Sequence, residues 1–106
     1  MIKYKVIYVQ EALDDLIRIS NYIFLTNLEP NNAGKIIADL ENAIDSLNIF
    51  PERHPLIKTV FSNKIQTRRF VVKNYSVIYQ VRLEEKLVAV LRIVSCKRDF
   101  IKKNMN

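Results

Sequence analysis

Residues 67–95 read TRRFVVKNYSVIYQVRLEEKLVAVLRIVS, and the period of this stretch decides the fold. Apolar and polar residues alternate at every second position, the repeat of a strand with one buried face. The alternation breaks at Asn74-Tyr75 and at Leu83-Glu84-Glu85-Lys86, so the run divides into strands over 67–73, 76–82 and 87–95. Turns this short make the three strands an antiparallel meander. The last is apolar on both faces apart from Arg92, which predicts a central place in the sheet.

Upstream the period changes. Ala12, Leu16, Ile19 and Ile23, flanked by Leu13, Ile17 and Phe24, recur at helical spacing over 11–27, and Asn27 is the expected stop. Glu11, Asp14 and Asp15 crowd the first turns, where the helix dipole favours negative charge. Pro30 suits the first position of a second helix. Its stripe is Ala33, Ile36, Ile37, Leu40, Ile44 and Leu47, and Phe50-Pro51 ends it. A linker of two or three residues makes the pair an antiparallel hairpin. The helical acidic residues are expected on the exposed face. Ahead of the helices, residues 2–9 alternate as a strand with Ile2, Tyr4, Val6 and Tyr8 on one face. Residues 51–66 read as an irregular connector with a short strand at 58–61, and 97–104 as a short basic tail helix. The expected fold is α+β in two layers: an N-terminal strand, then a helical hairpin packed on an antiparallel sheet, in the order β-α-α-β-β-β.

With 106 residues, 49% hydrophobic and 26% charged, the chain has the size and makeup of one globular domain over 1–106. The single cysteine, Cys96, excludes an internal disulfide and a Cys-based zinc cluster. The single histidine, His54, excludes a multi-His metal site, and the single glycine, Gly34, excludes glycine-rich phosphate cradles. No cofactor and no metal are expected. No apolar run approaches the ~20 residues of a membrane span, and Met1 opens onto a Lys-rich strand instead of a signal peptide. The expected setting is the cytoplasm, off the membrane, with a reduced thiol.

Charge is lopsided. Residues 1–53 hold five Lys and Arg against eight Asp and Glu, a net of −3, whereas residues 54–106 hold twelve against three, a net of +9. A basic half of this kind suits an acidic partner.

Taken together, Phe50-Pro51-Glu52-Arg53-His54-Pro55, Arg68-Arg69-Phe70-Val71-Val72, the run from Asn74 to Val81, and Val90-Leu91-Arg92-Ile93-Val94 followed by Lys97-Arg98-Asp99 resemble the RelE/ParE toxin superfamily of bacterial toxin–antitoxin modules. The resemblance spans essentially the whole chain. It implies a small basic toxin, neutralised by a cognate acidic antitoxin that wraps its surface in a hetero-oligomer. RelE-like members cleave messenger RNA in the ribosome without a metal, and ParE-like members poison DNA gyrase. Family patterns often place His-Gly where this chain has Ser95-Cys96, so the histidine available to many members is absent here.

If the chain is a nuclease, the candidate catalytic residues are Arg68, Lys73, Tyr75 and Arg92; Arg69, Lys97 and Arg98 are candidates for target binding. Arg68 and Arg69 adjoin in one strand and must face opposite ways. Arg92, inside an apolar strand, must reach solvent or a partner, because burying it alone would cost several kcal/mol. Tyr75 is expected exposed in its turn, where it can stack on a base, and Tyr79 is expected in the core. His54 is expected structural or on the surface, and Cys96 a small buried hydrophobe. RNA cleavage needs a base for the 2′-OH and an acid for the leaving oxygen, and no spacing singles out such a pair. The missing histidine, the long helical hairpin and the lack of an acid–base pair favour a gyrase-directed toxin; the ribosome-dependent endonuclease is the alternative.

Overall fold

The computed structural model describes residues 1–26, 30–60 and 64–96. The elements are β1 (Lys5–Tyr8), α1 (Gln10–Thr26), α2 (Pro30–Asp45), two short 3-10 turns (Ser46–Asn48 and Pro51–Arg53), β2 (Leu56–Val60), β3 (Ile65–Val72), β4 (Tyr75–Arg82) and β5 (Leu87–Ser95). The expected helix stop at Asn27, the end of the short strand at Phe61 and the tail helix over 97–104 lie outside the described residues.

The two helices cover one face of a five-stranded sheet of order β1-β5-β4-β3-β2. Burial follows the sequence periods. Ala12, Ile19 and Ile23 of α1 and Leu40 and Ile44 of α2 pack on Val77, Val90 and Ile93, with Phe70, Val72 and Tyr75 alongside. A second cluster, Leu47, Tyr79, Val81 and Val88, continues the core under the first 3-10 turn. Leu13, Ile17 and Phe24, by contrast, stand on the outer side of α1, with Ile17 59% exposed.

Three expectations need correcting. The sheet is mixed: β1 runs parallel to β5, pairing Lys5 with Leu87 through Tyr8 with Val90, while the other neighbours are antiparallel. Chain parity accounts for this. Two antiparallel helices return the chain to the end of the sheet where β1 finished, so β2 runs opposite to β1. Three successive hairpins then bring β5 back into the direction of β1. The middle of the sheet is β4, and β5 is interior beside it. Second, the β3–β4 turn is Lys73-Asn74, one residue earlier than the sequence suggested. Both residues adopt positive φ, 51° and 78°, as a two-residue primed turn requires. Tyr75 therefore belongs to β4 and packs half-buried on the core. Third, the acidic residues of α1 are not all on its outer face: Asp15 is only 1% exposed.

Candidate functional site

Alternation along the strands sorts the basic residues by face. Phe70, Val72, Val77, Tyr79 and Val81 contact the core beneath the helices. Their neighbours in sequence consequently turn to the open face, the one without helices among the described residues. Arg69 on β3 pairs across to Ile78 on β4, and Ile78 to Arg92 on β5, so these three form one cross-strand row. The next rows carry Thr67 and Gln80, then Arg82, with Lys58 beside Thr67 on β2 and Lys5 beside Leu87 on β1. No strand contains an Asp or Glu. The open face is thus basic, with Ile78, Leu91, Val71 and Val94 interleaved. Sequence reading missed Lys5, Lys58 and Arg82 as part of it, although the strand period alone places them there.

Arg92 reaches solvent and a partner at once. Its guanidinium is half exposed and donates from Nε and Nη2 to the Asp15 carboxylate at 2.7 and 3.1 Å. The same carboxylate accepts the backbone N–H of Ile93 at 2.9 Å and Nη1 of Arg18 at 2.9 Å. Two local features put Asp15 there. A bulge at Leu91 shifts the β4–β5 register just before Arg92. And β1 ends its pairing at Val90, where α1 begins, so Asp15 takes over an N–H of β5 beyond the last pair with β1. Burial alone would raise the Asp15 pKa, but the bonds from Arg92, Ile93 and Arg18 overcome it and hold the carboxyl below its ordinary value.

Arg68 faces the other way, with its side chain 13% exposed. Nη1 donates to the His54 carbonyl at 2.6 Å, Nε and Nη2 to the Gln66 side-chain oxygen at 3.1 and 2.9 Å, and Glu52 lies 3.8 Å away. Lys73, in the turn, pairs with Asp39 of α2 at 3.5 Å. Tyr75, on the helix side of β4, has its pKa pushed up by burial and then by Tyr22. The structure therefore places Arg69 and Arg92 in one cross-strand row, two strands apart, with the Arg92 guanidinium drawn to Asp15, and holds Arg68, Lys73 and Tyr75 away from that row. Lys97 and Arg98 lie outside the described residues. Tyr79 is in the core, its hydroxyl donating to the Pro51 carbonyl at 2.5 Å.

Chemically, the open face offers fixed positive charge and apolar contact. Among the described residues, no three His, Cys, Asp or Glu side chains gather as a metal site would require, and no helix is long and apolar enough to cross a membrane.

The family model of the ParE toxin of type II toxin–antitoxin systems matches residues 6–100. The chain belongs to this ParE/RelE family and is the toxin component of such a system. No curated protein sequence matches it. Its fold is similar to a chain of the chromosomal ParDE system of P. aeruginosa, with TM-score 0.68 and 17% identity over 90% of this chain and 98% of that one. It is also similar to the archaeal RelE–RelB complex of Pyrococcus horikoshii, with TM-score 0.63 and 19% identity over 91% and 98% of the two chains. A third similar structure is the RelBE2 complex of Mycobacterium tuberculosis, with TM-score 0.56, 20% identity and 88% and 98% coverage.

Proposed function

We propose that this toxin stops growth by binding DNA gyrase through the open face of its sheet and poisoning it, so that breaks made by gyrase itself persist, while the toxin cleaves no nucleic acid. One observation carries the reading: charge and proton-transfer candidates stand on opposite sides of the sheet. Arg69 and Arg92 share one open-face row, Arg92 half exposed while it also holds Asp15 of α1, whereas Arg68, Lys73 and Tyr75 turn to the helix side and are engaged there. Arginines on a basic face can grip an acidic surface or stabilise a phosphate. Alone they supply neither the base nor the acid that RNA cleavage demands. Among the described residues the carboxylate that touches Arg92 is Asp15, pinned by donors from three residues and a poor base for that reason.

The ribosome-dependent endonuclease remains the second reading, favoured by the Arg69–Ile78–Arg92 row, where two guanidinium groups flank one strand. A cognate acidic antitoxin, ordering as it binds, completes the module as a toxin–antitoxin hetero-oligomer in the cytoplasm. The outer apolar residues of α1, Leu13, Ile17 and Phe24, and the exposed strand edges are its docking surface.

The test is a supercoiling assay on relaxed plasmid with gyrase and increasing purified toxin. Loss of supercoiling near stoichiometric toxin is expected; unchanged supercoiling at large excess would overturn the reading.

A further inference from the structure

The connector from α2 to β2, expected to be merely irregular, is held from several directions. The Tyr79 hydroxyl of β4 donates to the Pro51 carbonyl at 2.5 Å, and Arg68 of β3 donates to the His54 carbonyl at 2.6 Å. The Arg69 amide donates to the Pro55 carbonyl at 3.1 Å. Arg53, on the connector itself, donates to the carbonyls of Ile49 and Phe50 at 2.7 and 3.2 Å and to the Ser46 hydroxyl at 2.5 Å. This grip holds Phe50 at φ 51°, a left-handed conformation unusual for a bulky residue. In the middle of the grip sits His54, the chain's one histidine. Its ring stacks on Phe70 at 4.3 Å between centroids, 11° from parallel, and meets the edge of Tyr79 at 6.3 Å.

We propose that residues 50–55 form a pH-sensitive latch, closed on β3 and β4 while His54 is neutral and released when His54 takes a proton. The groups around the imidazole are Arg53 from the connector, Arg68 and Phe70 from β3, and Tyr79 from β4, with Glu52 3.8 Å from Arg68. A new cation among them would lose hydration and be repelled by two guanidinium groups. Its stacking on Phe70 would return only a weak cation–π attraction. Burial first, then Arg53 and Arg68, hold the His54 pKa below its ordinary value, so the unfavourable effects win. The sign follows from this direction. Closure favours the neutral ring, so its full stability is present above the open-state pKa of about 6.5. That stability is lost as pH falls from there through the lower closed-state value. Release would uncover Phe70 and Tyr79 beside the exposed Leu56 and Ile57 of the β2 edge. The toxin's surface would then differ between neutral and acidic conditions, whichever target it has.

Hydrogen exchange followed by NMR on the whole chain at pH 7.5 and 5.0, corrected for intrinsic rates, tests this. The Arg69 and Arg53 amides, bonded to Pro55 and Phe50, report the latch. Their protection should fall at the lower pH, by up to about tenfold for each unit by which closure lowers the pKa. Amides within β4 and β5 should keep theirs. His54→Phe, which preserves a stacked ring, or His54→Gln if that variant misfolds, should abolish the response. An equal fall in the variant, a fall shared uniformly by β4 and β5, or no fall in the unaltered chain would each overturn the latch.

Discussion

At the scale of single residues, Asp15 determines what Arg92 can do. Asp15→Ala leaves the Ile93 N–H and one face of a guanidinium without their acceptor. Breaking a buried pair costs about 3–5 kcal/mol, and because Arg92 is half exposed and can rehydrate, a loss of about 2–3 kcal/mol in urea unfolding is expected. Arg92→Ala should cost less than Asp15→Ala, since the carboxylate keeps Arg18 and Ile93. A larger loss for Arg92→Ala would contradict the network. The depressed Asp15 pKa also gives a pH signature. Its contribution is present above the unfolded value of about 3.9 and drains away as pH falls through the lower folded value, and Asp15→Asn should flatten that limb of the stability profile. That each of the two needed a partner was legible in the sequence, although their meeting across 77 residues was not. Asp15 falls between Ala12, Leu16 and Ile19, on the apolar stripe itself, and a carboxylate there needs a cation as surely as Arg92 in its apolar strand needs an anion. Reading the first-turn acids as a response to the helix dipole concealed it. Tyr79 was easier, because strand alternation put it in the core; its bond to Pro51 was not readable, because 28 residues of chain separate the partners.

Among the elements, periodicity served for all long segments and failed where a single residue's backbone conformation decided the boundary. Strand β5 occupies residues 87–95 as its pattern implied, and α1 starts one residue before its expected position. The β3–β4 turn was misplaced because Lys73 gives no sign of a left-handed conformation, whereas Asn74 does. The parallel pairing of β1 with β5 was implicit in counting reversals, but local pattern does not state it. Lys86 offers a test at this scale. It sits at φ 49° in the β4–β5 turn, where a side chain costs roughly 1–2 kcal/mol, partly offset by glycine's greater entropy when unfolded. Lys86→Gly should therefore raise stability by about 0.5–1 kcal/mol, read as a higher urea midpoint. A lower midpoint would mean that the side chain contributes contacts outweighing its strain.

For the whole molecule, charge segregation is the feature from which function follows. Asp and Glu concentrate in the helices, with Glu52 in the second 3-10 turn and Glu84 and Glu85 in the β4–β5 turn, and the described strands hold none. The open face thus presents Lys5, Lys58 and Arg69 to a partner, beside Arg82 paired with Glu85 and Arg92 paired with Asp15. The sequence's +9 half announced such a surface, but not that Arg68 and Lys73 would pair on the helix side, since Glu52 and Asp39 come from distant segments. Arg69→Ala, on an exposed side chain, should leave the melting temperature unchanged and weaken target inhibition by several-fold, with greater loss at higher salt for the unaltered chain; unaltered potency would place the target elsewhere. A gyrase-directed toxin binds its target and does not itself cut. The most direct measurement of this is induction of the toxin alone in cells, with DNA breaks and message integrity followed in the same culture. Broken DNA with ribosome-bound messages intact through the first generation is expected, and cleaved messages with unbroken DNA would overturn a gyrase-directed toxin.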